Sequence, residues 1–556
     1  MKKMTILKSI LVCGALALVV SGCNDKKEKP VGPVSDIEAI QVDPYKLESN
    51  YRDLRIKGIG YAGEQFTEHS RLVDDNGVTK EEKTYVVENV RALVVPVDFT
   101  DYPYTLYNET EDGAREELRK VMFGTPEEME WYSLAEYYKQ SSFGKCNITG
   151  SVADWWHTGI ASTSLPKDSE SGKTDTAYAS QLAVKIQDYY REHNDIINLA
   201  DYDANKDGFV DTIIMIYTAP IETTGSLWWA FCSSVDGAFG RYTPSGNREG
   251  ANRYFWASYG FLYERWNRRG TQPAQYTPEE IKAGVDMDGN PIHPDAHTMT
   301  HEYGHCLSLP DYYITDYNPE DYGAMGCLDM MDNNIGDHNA YSKMCYGWIN
   351  PRRIAGHTGS LTLTLNSTTK TGDTIIIPAP DGWRNTYMDQ YLVVEFLTPE
   401  GVAKADGEKQ YLGYYPKYYS QAGIRILHID SRMGVYQYSG AGAQAGYKFA
   451  GYTPAVSTSL ERAYVRVAAD NTMTRSCYPD YKIAEVLPSD GRSIKDHSGN
   501  ANDACLYYEG DSFGQNGIWE NFKMNGISGE KDKEFGFKIH VDKIDGNNSA
   551  TITISR

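Results

Sequence analysis

The chain has 556 residues, enough for roughly two to four domains and at least one large core. Its 41% hydrophobic and 23% charged residues are those of a globular protein. The formal net charge of −22 excludes the basic footprint of a nucleic-acid-binding protein and suits an extracellular, soluble or calcium-loaded one. The first 23 residues read as a targeting segment. Lys2, Lys3 and Lys8 precede an apolar run from Ile10 to Val20 that is too short to span a bilayer comfortably. The run ends in Val20-Ser21-Gly22-Cys23, which looks like a bacterial lipobox with Cys23 as the lipidated residue. A charged tether, Asn24 to Val34, follows, and no later segment has the length and apolarity of a membrane span. Of nine cysteines, Cys13 would leave with the leader and Cys23 would carry lipid. The seven others cannot all pair, and Cys477 with Cys505 is the nearest approach to a pair.

Residues 24–85 are polar and read as irregular: a tether, and a possible pro-segment. Leu93 to Val97 is a short apolar run of the kind found in buried strands, and residues 113–122, 131–140 and 176–193 have helical periodicity. Next comes Asp203-Ala-Asn205-Lys-Asp207-Gly208-Phe-Val-Asp211, ahead of an apolar strand from Thr212 to Tyr217. Oxygen side chains at alternate positions with Gly sixth are the spacing of a Ca²⁺ loop. The twelfth position is Ile214 rather than Glu, so the loop is not a standard EF-hand, and a solvated turn is the other reading.

Residues 301–311 read His-Glu-Tyr-Gly-His-Cys-Leu-Ser-Leu-Pro-Asp. On a helix running from near Asp295 to about Ser308, His301 and His305 share one face, a turn apart. Two neutral imidazoles so placed can hold Zn²⁺, and Glu302 can reach a water on that metal as general base. This is the machinery of metal-assisted peptide hydrolysis. His297, a further turn back, reads as a surface or supporting histidine. A catalytic zinc takes a third protein ligand. Asp311, six residues past His305, is the favoured one; Asp316 and Glu320 compete with it. That arrangement requires the chain to leave the helix in a left-handed conformation at position 308. A Ser there costs on the order of 1 kcal/mol relative to Gly. From Pro351 onward the pattern is strand-rich, with clean alternation at Leu361, Leu363 and Leu365 and strands near 375–377, 391–396, 424–429, 463–468, 535–541 and 550–554.

These segments together resemble the immune inhibitor A-type secreted bacterial metallopeptidases. Leu93 to Phe99 is similar to the family's first catalytic strand, and Ser133 to Lys145 to its Tyr-Tyr…Ser-x-Gly segment. Asp203 to Tyr217 resembles its Asp-rich loop and strand. His301 to Tyr313 follows HExxHxxGxPDxY except at Ser308. Cys327 to Asp332 resembles the Met-containing turn, and further likenesses run through His338–Pro351, Gln390–Glu395 and Gly423–Asp430, so the match covers about residues 90–432. The resemblance implies a zincin-like (metzincin-like) α+β catalytic domain. It also implies zinc on His301, His305 and Asp311, Glu302 as base and acid, Met331 beneath the metal, structural calcium, export, and cleavage of extracellular proteins. The expected organisation is a leader (1–23), a tether and possible pro-segment (24–85), a catalytic domain (86–350) and a β-rich, sandwich-like C-terminal region (351–556). The expected product is a lipoprotein of the bacterial cell envelope, on the outer membrane or cell surface. It would be held to the membrane by its lipid, act on protein or peptide substrates and bind no nucleic acid. The alternative is a surface binding protein built on a degenerate peptidase core.

Overall fold

A computed structural model describes residues 36–47, 65–167, 172–222, 226–235, 253–265, 274–313, 323–412, 415–439, 446–451, 464–469, 476–526 and 531–556. Cys23 and the leader, the tether to Val34, and the competing carboxylates Asp316 and Glu320 lie outside these residues. Among the described residues no helix is long and apolar enough to cross a membrane.

After a short strand, β1 (Glu38–Gln41), the chain forms a hairpin of β2 (Phe66–Asp75) and β3 (Val78–Val87). This corrects the irregular reading of this stretch. Asn76 and Gly77 take φ of 55° and 82°, positive at both central positions as a two-residue type I′ turn requires. Most of the hairpin is exposed or half-buried, so its apolar alternation is shallow, and the Asn-Gly pair was the signal that could have found it.

The next elements are β4 (Asn89–Asp98), α1 (Glu111–Phe123), α2 (Leu134–Ser141), β5 (Asn147–Val152), α3 (Ala177–Glu192), β6 (Thr212–Tyr217), β7 (Phe231–Ser234) and β8 (Arg253–Ser258). Thr110 and Ser133 cap α1 and α2 through their hydroxyls. The strands form a sheet in the order β5-β4-β6-β8-β7, parallel except for β7, which lies antiparallel to β8 at the edge. Successive side chains point to opposite faces. Leu93, Val95, Ile213 and Met215 therefore pack with α3 residues Leu182 and Ile186. Val94, Ile214, Ile216 and Phe255 face the other core, which holds α1, α2 and the helix of the histidine motif, α4 (His297–Cys306). Helix α4 packs across β7 and β8. Two short helices follow, α5 (Met330–Asn333) and α6 (Ala340–Cys345).

Beyond them come β9 (Arg352–Ala355), β10 (Ser360–Asn366), β11 (Thr374–Pro378), β12 (Gln390–Leu397), α7 (Val402–Glu408), β13 (Gly423–Asp430), β14 (Ala484–Val486), β15 (Ser512–Gly514), β16 (Lys538–Asp545) and β17 (Ser549–Ser555). A six-stranded sheet runs β1-β9-β11-β12-β13-β14 and a four-stranded one β10-β17-β16-β15. Ile375, Leu392, Val394 and Ile426 of the first meet Phe513, Ile539, Ile552 and Ile554 of the second in one core. The reverse face of the six-stranded sheet is also buried, because Ile376, Val393, Leu427 and Ile429 join the core that contains α4.

Candidate metal centre

The two motif histidines stand one turn apart on α4, with ring centroids separated by 4.9 Å. Each ring is held by a carbonyl. His301 Nδ1–H donates to Met330 O at 2.7 Å and His305 Nδ1–H donates to Leu309 O at 2.9 Å. In the neutral form of each ring Nε2 then keeps its lone pair, as a metal-binding imidazole needs. The two Nε2 atoms converge on Asp311 Oδ1, at 3.2 and 3.1 Å. Among the described residues, His301, His305 and Asp311 are the one group of His, Cys, Asp or Glu that offers three ligand atoms within 4.8 Å of one another.

The route to Asp311 runs through the residue that departs from the family pattern. Ser308 has φ 91°, the left-handed exit the sequence required at this position. The Ser308 and Leu309 amides donate to His305 O and Gly304 O, both at 2.9 Å, closing the helix. Tyr312 N then donates to Met331 O at 2.8 Å, tying the exit to α5. Met331 is fully buried against the middle of α4: a Cβ at Gly304, between the two histidines, would collide with its Sδ. Asp329 holds this turn. One of its oxygens accepts from Met331 N, and the other accepts from Asn339 N and Nδ2, each at 2.9 Å.

Burial governs the electrostatics. It raises Glu302 to about 7, against the pull of the two imidazoles and with help from Asp311, and leaves Oε2 buried with no hydrogen-bond partner. It opposes charge on His305 as well, but the Asp311 carboxylate outweighs it and lifts that imidazole to about 10. Burial likewise disfavours an ionised Asp311, yet the two imidazoles hold its carboxyl far below the ordinary range. Two nitrogens and one carboxylate oxygen beside an unsatisfied carboxylate fit a catalytic metal ion and its water.

His297 belongs to a different structure. It is buried between the rings of Trp131 and Tyr411, with centroids at 3.5 and 3.8 Å, and is paired with Asp295 at 2.8 Å and Asp406 at 3.1 Å. Asp295 also accepts from His297 N at 2.8 Å, so it caps α4 from one residue farther back than a standard N-cap.

The Asp-rich loop turns its oxygens to the backbone. Asp203 accepts from Asp207 N and Gly208 N, and Asp211 Oδ2 from Arg91 N and Ala204 N. Asn205 donates to Phe66 O at 2.9 Å. Asp203, Asn205, Asp207 and Asp211 therefore do not form a gathered ligand set, although Asp211 Oδ1 is buried without a partner. Cys505 is a free thiol, so the pairing of Cys477 with Cys505 finds no support.

Several residues that build the site carried no readable signal. The carbonyls of Met330 and Leu309 are backbone groups, and nothing in side-chain spacing announces them. Glu395 and Arg425 form a buried ion pair at 2.7 Å; Glu395 also accepts from Ala340 N at 2.8 Å, and Arg425 donates to Leu328 O at 3.4 Å. The β-rich region thus steadies the segment that carries Met331. Charged residues in the middle of apolar strands were the available clue.

Residues 78–212 match a family model described as the catalytic domain of the immune inhibitor A peptidase M6. These residues are similar to an immune inhibitor A-type peptidase domain. The matched residues end ahead of α4, so the metal centre itself rests on its geometry. Over 253 residues the chain is 22% identical to the Pre-pro-metalloprotease PrtV of Vibrio cholerae serotype O1, in strains M66-2 and ATCC 39315 / El Tor Inaba N16961 alike. The alignment covers 41% of this chain and 25% of the relative, so the chain matches about a quarter of the length of these curated relatives.

Proposed function

We propose that the chain is an exported, lipid-anchored zinc endopeptidase that cleaves extracellular proteins. The observation that carries this reading is the convergence of His301 Nε2, His305 Nε2 and Asp311 Oδ1 beside the buried, unpartnered Oε2 of Glu302. Two imidazoles and a carboxylate are a zinc donor set that leaves a position for water. Zinc held there supplies the Lewis acidity that activates water at neutral pH. Met330 O and Leu309 O orient the two ligand rings, and Met331 and Gly304 set the floor under them. Glu302, raised toward neutrality, takes a proton from the attacking water at Oε2 and returns it to the leaving amine. The leader and its Val20-Ser21-Gly22-Cys23 ending support export and lipidation at Cys23. Calcium at the Asp203–Asp211 loop is part of the proposal. Its support is the loop's oxygen spacing with Gly208 sixth and the buried Asp211 Oδ1, which has no hydrogen-bond partner.

Zinc content and casein cleavage test the reading. We expect one zinc per wild-type chain, lost in Asp311→Ala. We expect Glu302→Ala to keep the zinc and to cleave casein at least about 100-fold more slowly. If the wild type binds no zinc, or if wild type and Glu302→Ala cleave equally, the enzyme reading fails. Cys23→Ala should move the protein from the membrane to the soluble fraction.

A further inference from the structure

We propose that Cys232 and Cys306 close a reversible disulfide that staples the edge strand β7 to the end of the metal-binding helix α4. Their sulfurs lie 3.4 Å apart across 74 residues of sequence. Bringing them to the ~2.05 Å of a disulfide needs the sulfurs to close by little more than an ångström. Cys306 directly follows the ligand His305 and is buried, whereas Cys232 is partly exposed. Arg253, on the neighbouring strand β8, donates from one Nη2 to both Cys232 Sγ and His305 O, each at 2.9 Å. The pair therefore has an accessible nucleophile and a protected resolving thiol.

The chemistry balances with a small-molecule or protein disulfide as oxidant. The Cys232 thiolate attacks one sulfur of the oxidant and releases the other half as a thiolate. Cys306 then loses its proton to that thiolate and attacks Cys232 Sγ, expelling the second half, which leaves as a thiol once protonated. Two protein thiols are oxidised to one disulfide, and one disulfide is reduced to two thiols. The staple fixes the C-terminal end of α4, where the chain turns toward Asp311, against the edge of the sheet. It rests on the thiol geometry and not on the peptidase reading.

The test compares the purified full chain treated with glutathione disulfide or with a phosphine reductant. Each sample is denatured, alkylated, digested and read by mass spectrometry, with zinc content measured alongside. We expect a linked peptide pair containing Cys232 and Cys306 only after oxidation. We also expect an apparent melting midpoint higher by on the order of 5 °C in the oxidised protein. Cys232→Ser should abolish both effects, and Cys306→Ser should stop at a glutathione adduct on Cys232. Alkylation of both cysteines after oxidation would overturn the proposal, as would a wild-type adduct that never closes or a linked pair that leaves the midpoint unmoved. Because the wild-type comparison stands alone, a poorly folding Ser variant does not remove the test, and the zinc measurement separates its failure from that of the peptidase reading.

Discussion

Ser308 occupies a position where the backbone asks for glycine. Its φ of 91° carries Cβ into the left-handed region, at a cost of roughly 1 kcal/mol. The strain persists because the residues around it are fixed: His305 and Gly304 accept from the turn, Pro310 bars further helix, and Tyr312 is tied to Met331. Ser308→Gly should therefore stabilise the protein by about 0.5 to 1 kcal/mol in denaturant unfolding, with part of the gain returned through the greater freedom of glycine in the unfolded chain. Zinc stoichiometry should be unchanged, and a variant less stable than wild type would mean that the Ser side chain contributes more than its backbone costs. The histidines, Glu302 and Asp311 were legible from spacing alone. The groups that aim them were not, because a carbonyl aligned by a distant turn leaves no mark on the residue type that carries it.

At the scale of elements, the N-terminal end of α4 is anchored by a charge. Burial disfavours an imidazolium at His297, but Asp295 and Asp406 outweigh it and raise its pKa to about 9. A raised pKa means that the folded state binds the proton more tightly than the unfolded chain. The stabilisation is thus complete below the unfolded value near 6.5 and is lost as pH rises through about 9. Its size is on the order of 3 kcal/mol. We expect the melting midpoint of wild type to fall between pH 6.5 and pH 9 relative to that of His297→Gln, so that the difference between the two profiles isolates this group. Profiles that run parallel would show that His297 is neutral in the fold. The same scale shows where pattern reading worked. Ala177–Glu192 was visible because it buries one face, giving helical periodicity, and Thr212–Tyr217 because both its faces are buried, giving a continuous apolar run. The β2–β3 hairpin was missed because most of its side chains remain exposed or half-buried, and only its Asn-Gly turn departed from a polar background.

For the whole molecule, the organising fact is that the six-stranded sheet is covered on both faces. One face meets the four-stranded sheet and the other meets the core around α4, with the Glu395–Arg425 pair reaching to the helix and turn beside Met331. Residues 86–350 expressed alone would leave α6 without β12, which now packs against it, and would uncover the part of the core that Ile376, Val393, Leu427 and Ile429 complete. We expect that fragment to aggregate or bind a hydrophobic dye and to lack a cooperative unfolding transition; a soluble, cooperatively folding, zinc-binding fragment would refute this. The strand β1, which precedes the residues matched by the family model, pairs antiparallel with β9 and completes the edge of the same sheet. The sequence by itself determined the candidate ligand residues and the helix that spaces the two histidines, because both follow from local periodicity and side-chain chemistry. Only the tertiary structure decided the carbonyls that orient the rings, the sheet that braces the Met331 turn from the C-terminal region, and the meeting of Cys232 with Cys306. Apart from Leu309 O, four positions from His305, those contacts join residues from 29 to 97 positions apart, and no local pattern encodes a distance of that kind.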